Sequence, residues 1–280
     1  MCDLNDQEEL KKYTRRDFGT WAASAGLLTA LPGVANAVGV AEREVTIATA
    51  DGSCDAYFVA PTAGAAPGVL IWPDVFGLRP AFRQMGRRLA ESGYSVLVVN
   101  PFYRQKKAPT AAQGGQTPIA EVMPLMQALT PAMHLSDAKA FVAWLDAQKE
   151  VDKARKLGTT GYCMGGPIAV RTATVAPDRV GAVGTFHGAA MVNASPDSPH
   201  RLLAQTKARY LIAVAENDDA KEPETKTTLR TAFESAKLSA EVEVYPAAHG
   251  WCPPDSRVYD AAQAERAWTR LLATFNQALA

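Results

Sequence analysis

The chain has 280 residues, 48% of them hydrophobic, which is enough apolar material to bury one large core. Its 29 basic and 29 acidic side chains cancel, an argument against nucleic acid or another polyanion as partner. There is no internal repeat, no heptad array and no cysteine-histidine cluster with metal-ligand spacing, so no solenoid, no metal centre and no organic cofactor is expected.

The first 37 residues read as a unit of their own. Thr14-Arg15-Arg16-Asp17-Phe18 is a twin-arginine pattern, residues 18–34 are uncharged, and Ala35-Asn36-Ala37 has the A-x-A form of a cleavage site. Residues 1–37 are therefore expected to be a removable signal for the twin-arginine translocation machinery, and residues 38–280 the mature periplasmic domain. Gly19, Gly26, Pro32 and Gly33 make the stretch a poor membrane span, so no stable membrane association is expected. That route delivers a folded protein to an oxidising compartment, where Cys54, Cys163 and Cys252 remain. A Cys54–Cys252 disulfide stays open, with a buried free thiol the favoured reading of each.

In the mature chain, residues 44–48 and 54–59 around Asp51-Gly52-Ser53 predict an opening hairpin, with Cys54 on an edge strand. The apolar runs 68–72 and 95–99 predict central parallel strands, joined by an amphipathic helix over 81–91 that stops at Gly93. Residues 105–131 form a long Pro/Gly/Gln-bearing excursion, after which Ser136-Asp137 is expected to cap a helix over 138–148. Later come strands at 156–160, 180–186, 209–215 and 242–245, and helices at 167–175, 223–236 and 256–280. Strands alternating with helices predict an α/β fold whose mostly parallel sheet is covered on both faces.

The chemistry concentrates at three of the strand ends. Gly161-Tyr162-Cys163-Met164-Gly165-Gly166 has glycines on both flanks of a cysteine between a strand and a helix, the form of a nucleophile elbow. The helix dipole behind Cys163 favours its thiolate, and the Met164 N–H is aimed at a developing oxyanion. Strand 209–215 ends in Glu216-Asn217-Asp218-Asp219, and the last strand runs out into a loop carrying His249. The order nucleophile, acid, histidine is that of the α/β-hydrolases. His187, at the end of strand 180–186, is read either as a pocket residue or as a structural histidine.

Together with Trp72-Pro73-Asp74-Val75-Phe76-Gly77 and Asn100-Pro101-Phe102-Tyr103, these segments resemble the dienelactone hydrolase (carboxymethylenebutenolidase) family across nearly all of residues 40–280. The resemblance implies an α/β-hydrolase fold and hydrolysis of a small ester or lactone. It implies a triad of Cys163, Asp218 and His249, with Asp219 as second choice for the acid. It also implies that the Val75 N–H completes an oxyanion hole with Met164, and that Asp74 exchanges hydrogen-bond partners so that the thiolate forms when substrate arrives. The family members that act on dienelactone hold its carboxylate with two arginines. Here residues 105–135 contain no arginine and Pro253 stands four positions after His249, leaving Arg104, Lys106 or Lys107 as substitutes. A neutral ester is therefore expected to compete well. Two other readings stay open, a thiol redox protein using Cys163 and a catalytically idle binding module on a hydrolase scaffold.

Overall fold

A computed structural model describes residues 30–112, 114 and 116–279. The twin-arginine pair and most of the expected signal lie outside the described residues. Within them, eight strands form one sheet in the order β1-β2-β4-β3-β5-β6-β7-β8. The strands are β1 (Val40–Thr49), β2 (Gly52–Pro61), β3 (Gly68–Trp72), β4 (Ser95–Val99), β5 (Leu157–Tyr162), β6 (Val180–Phe186), β7 (Arg209–Ala215) and β8 (Ala240–Tyr245). The helices are α1 (Pro80–Glu91), α2 (Ile119–Gln127), α3 (Pro131–Ala147), α4 (Gly165–Val175), α5 (Pro199–Leu202), α6 (Glu216–Lys221), α7 (Glu224–Ser235) and α8 (Ala261–Ala278).

The opening hairpin forms, with Val40 paired to Pro61 at one end and Thr49 to Gly52 at the turn. Cys54 does not lie on an edge, because β2 also pairs with β4 and β1 takes the outer position. Exposed Glu42, Arg43 and Glu44 guard that rim against further strand pairing. All pairings from β4 through β8 are parallel. Every residue of β3 and β4 is buried, which explains their unbroken apolar sequences: both faces of a parallel strand are covered by helices.

Two cores result. On one face Phe58, Leu70, Trp72 and Leu97 pack with Phe141, Leu145 and Ile168 of α3 and α4. On the other Val69, Ile71 and Val98 pack with Phe82 and Leu89 of α1 and Leu271 and Phe275 of α8. Each such side chain contributes about 1.5–3 kcal/mol by leaving water. Arg88 and Glu265 tie α1 to α8 through two 2.6 Å hydrogen bonds. Cys54 belongs to the first core and Cys252 to the second, so the sheet separates them and both are free thiols.

The largest departures from expectation are two helix starts and one unexpected helix. Helix α3 starts at Pro131, seven residues before the predicted start, because Thr130 Oγ1 accepts the Met133 N–H and proline suits the first helical position. Asp137 is thus inside the helix, where burial suits it to an ion pair rather than a cap. Helix α8 starts at Ala261, capped by Asp260 Oδ1 on the Gln263 N–H, while Pro253 and Pro254 keep the preceding segment in turns. The excursion contains α2, which composition alone conceals. Pro124 is tolerated there because it and Ala120, whose carbonyl it leaves without a helical donor, are both exposed to water.

Candidate active site

Strand order reverses around β3, with β4 on one side and β5 on the other, and the carboxyl ends of β3, β5, β7 and β8 deliver the predicted groups to one edge of the sheet. Cys163 follows β5 at φ +51, a conformation that costs a non-glycine residue about 1–3 kcal/mol. Its backbone is held from three sides. Its N–H donates to Phe186 O at 3.1 Å, and its carbonyl accepts from Gly166 at 3.0 Å and Ala189 at 3.1 Å. The flanking glycines permit the closeness. A Cβ on Gly161 would stand 1.9 Å from Gly165 O, and one on Gly165 would stand 2.3 Å from Trp72 O.

Met164 caps the amino end of α4, and Val75 lies in the turn after β3. Both pack with Cys163, Phe102 and Val122 in a third apolar cluster, which α2 extends through Ile119, Met123 and Met126. The thiol therefore sits against an apolar wall built from the elbow, the β3 turn and the excursion.

Asp218 stands in the first turn of α6, with Oδ2 2.6 Å from His249 Nδ1. Asp219 turns the other way, to Lys226 Nζ at 2.7 and 2.8 Å. The loop carrying His249 is fixed by Asn217 Oδ1, which accepts the His249 N–H at 2.8 Å, and by the Glu216 N–H, which donates to Ala247 O at 3.0 Å. Sequence reasoning missed Asn217, although its place beside the acid was a signal.

His187 is fully buried at φ +41 with its ring 4.9 Å from that of His249 and 5.0 Å from that of Trp251. Neither of its ring nitrogens has a hydrogen-bond partner among the described residues. Burial, reinforced by neighbouring His249, pushes its pKa well below the ordinary histidine range, so it is neutral at pH 7.

Asp74 lies beside Val75, but both of its oxygens are engaged. Arg79 donates to them at 2.6 and 2.9 Å, and the Phe76 N–H donates to Oδ1 at 2.9 Å. Arg79 also holds Asp255 at 2.7 and 2.9 Å. Burial opposes the guanidinium's charge, yet Asp74 and Asp255 together outweigh it and raise its pKa. Arg79 and Asp255 went unread in the sequence; Arg79 is five residues from Asp74, whereas Asp255 had no local signal at all. Of the three candidate cations, Lys107 is exposed and the other two are engaged elsewhere. Arg104 is bound to Asp51 and Asp137, and Lys106 Nζ donates to Thr110 O at 2.8 Å. No group of three metal-ligating side chains occurs among the described residues.

An elbow after the fifth strand, an acid after the seventh and a histidine after the eighth, on a sheet wrapped by helices, define an α/β-hydrolase. A profile of the dienelactone hydrolase family matches residues 54–279, and the chain belongs to that family; it is a carboxylic ester or lactone hydrolase. A Salmonella typhi relative, provisionally named a carboxymethylenebutenolidase, is 29% identical over 232 residues, covering 79% of this chain and 82% of its own. A Methylorubrum extorquens relative with the same provisional name is 28% identical over 288 residues, covering 99% of this chain and 97% of its own. A Klebsiella pneumoniae crystal structure, provisionally titled a dienelactone hydrolase, superposes with a TM-score of 0.75 at 26% identity over 85% of this chain and 99% of that one.

Proposed function

We propose that Cys163, His249 and Asp218 hydrolyse a small ester or lactone through a thioester acyl-enzyme. The observation that carries this is the 2.6 Å contact between Asp218 Oδ2 and His249 Nδ1. A carboxylate there requires the proton on Nδ1, which leaves Nε2 as the basic nitrogen. Nε2 takes the thiol proton, the thiolate attacks the carbonyl carbon, and the N–H groups of Met164 and Val75 receive the oxyanion. As the tetrahedral intermediate collapses, the C–O bond to the leaving group breaks and His249 returns the proton to the departing oxygen. Water, deprotonated by His249, then attacks the thioester, releasing the acid and restoring the thiol. In this scheme Arg79 is the partner that Asp74 leaves when it turns to the thiol.

The site of action we propose is the periplasm. The Ala35-Asn36-Ala37 segment is exposed, as a signal-cleavage site has to be, and no helix among the described residues is long and apolar enough to cross a membrane.

The test is hydrolysis of 4-nitrophenyl acetate by the mature protein. Cys163→Ala is expected to lower the rate at least ~10³-fold, in line with removal of a nucleophile from other triads. Full activity in that variant would exclude Cys163 as nucleophile. Absence of activity in the unaltered protein would favour the redox or the idle binding reading.

A further inference from the structure

The strongest unexplained feature beside the site is the bridge Asp74–Arg79–Asp255. Its side chains are 9%, 1% and 4% exposed. A guanidinium has five N–H donors, and all five are used here. Nε and one Nη2 hydrogen bind Asp255, one hydrogen on each Nη binds Asp74, and the remaining Nη1 hydrogen reaches Gly77 O at 3.2 Å. The faces of the guanidinium are covered as well, by Phe76 at 5.5 Å and Phe82 at 4.9 Å. From the excursion, the Gly114 N–H donates to Asp255 Oδ2 at 2.7 Å, and a Cβ on Gly114 would stand 2.7 Å from Arg79 Nη2.

The bridge ties together three of the segments around the site: the turn after β3, the loop carrying His249 and the excursion. Asp74 precedes Val75, which packs on Cys163; Asp255 follows His249 on the same loop; Gly114 brings in the segment leading to α2. Two carboxylates on one guanidinium leave a net charge of about −1 in a desolvated wall, where opposing charge acts over a longer range than in water.

We propose that Asp255 is a specificity-determining residue: it occupies the carboxylate-binding fork of Arg79 from within the chain, so that the site takes uncharged acyl groups and rejects those bearing a carboxylate. Even when Asp74 leaves Arg79 for the thiol, Asp255 keeps the guanidinium neutralised. An incoming carboxylate would then meet a guanidinium whose charge Asp255 already cancels, and to take the Nε–Nη2 fork it would have to displace a two-point, charge-assisted pair that is already buried. The apolar surface of Phe76, Ile119, Met123 and Met126 offers such a substrate no other charge partner.

The proposal rests on the hydrolase reading, and the experiment separates the two. 4-Nitrophenyl butyrate and the mono-4-nitrophenyl ester of glutaric acid are compared at low ionic strength, in the unaltered mature protein, Asp255→Asn and Asp255→Gly. The unaltered protein is expected to favour the neutral ester at least tenfold in kcat/KM. Both variants are expected to narrow that ratio at least tenfold, chiefly through a lower KM for the anion, because one carboxylate has been removed and, in the glycine variant, the fork is vacated. A ratio that stays constant in either folded variant overturns the proposal. So does a preference of the unaltered protein for the anionic ester, an outcome that needs no variant to fold. If the unaltered protein turns over neither ester, the hydrolase reading falls and takes this proposal with it.

Discussion

Asp218 and Asp219 are chemically the same and adjacent in sequence, yet the first turn of α6 points one at His249 and the other at Lys226. Asp218→Asn places an amide against Nδ1, favours the wrong imidazole tautomer, and is expected to lower kcat by about 10³–10⁴-fold in a stopped assay with a simple aryl ester. Asp219→Asn removes only a partly exposed ion pair worth about 0–1 kcal/mol, so the rate should change less than about threefold. A reversed ranking would move the acid to Asp219.

At the scale of the element, the strand-elbow-helix unit works only because backbone packs on backbone. Gly161 and Gly165 meet each other and Trp72 where any side chain would collide with main-chain atoms that cannot swing away. Gly161→Ala is therefore expected to cost at least ~2 kcal/mol of stability, the scale of an overpacked core. It should also lower the esterase rate, since the shift falls on the turn that carries Cys163. Urea denaturation and the rate, measured together, check this, and a variant of normal stability and rate would show that the turn has slack.

For the whole molecule, two histidines contribute to the response to acid: His187, which is fully buried, and His134, which is partly buried with both ring nitrogens shielded from water. His134 on α3 has its pKa lowered to about 3, by burial first and then by Arg171 and Arg104, and that of His187 is lowered by burial and His249. The unfolded chain takes up both protons near pH 6.5, whereas the folded one does not. Their contribution is thus fully present above pH 6.5 and is lost as pH falls, by about 1.4 kcal/mol per pH unit for each histidine. Urea midpoints at pH 7, 6 and 5 should decline, and His134→Gln should remove about half of the slope; midpoints independent of pH would contradict the assignment. Export is the other property of the whole chain. Replacing Arg15 and Arg16 together by lysine is expected to strand the precursor in the cytoplasm, whereas the unaltered protein should begin at Val38 once processed. Unaltered periplasmic delivery of the double variant would rule out the twin-arginine route.

What was legible in the sequence was local. The apolar runs of β3, β4 and β7, the glycines around Cys163 and the order of cysteine, acid and histidine each follow from neighbours a few residues apart, because strand burial, turn sterics and helix capping act over that range. α2 and the early start of α3 were obscured because proline marks both a loop and the first turn of a helix. Only the tertiary structure set Asp218 against His249 and Asp219 against Lys226, put Cys54 and Cys252 on opposite sides of a sheet, and joined Asp74 to Asp255 through one guanidinium. Asp255 and Arg79 are 176 positions apart. Side chains so distant meet only when the sheet has brought the β3 turn beneath the histidine loop, and no local pattern records that encounter.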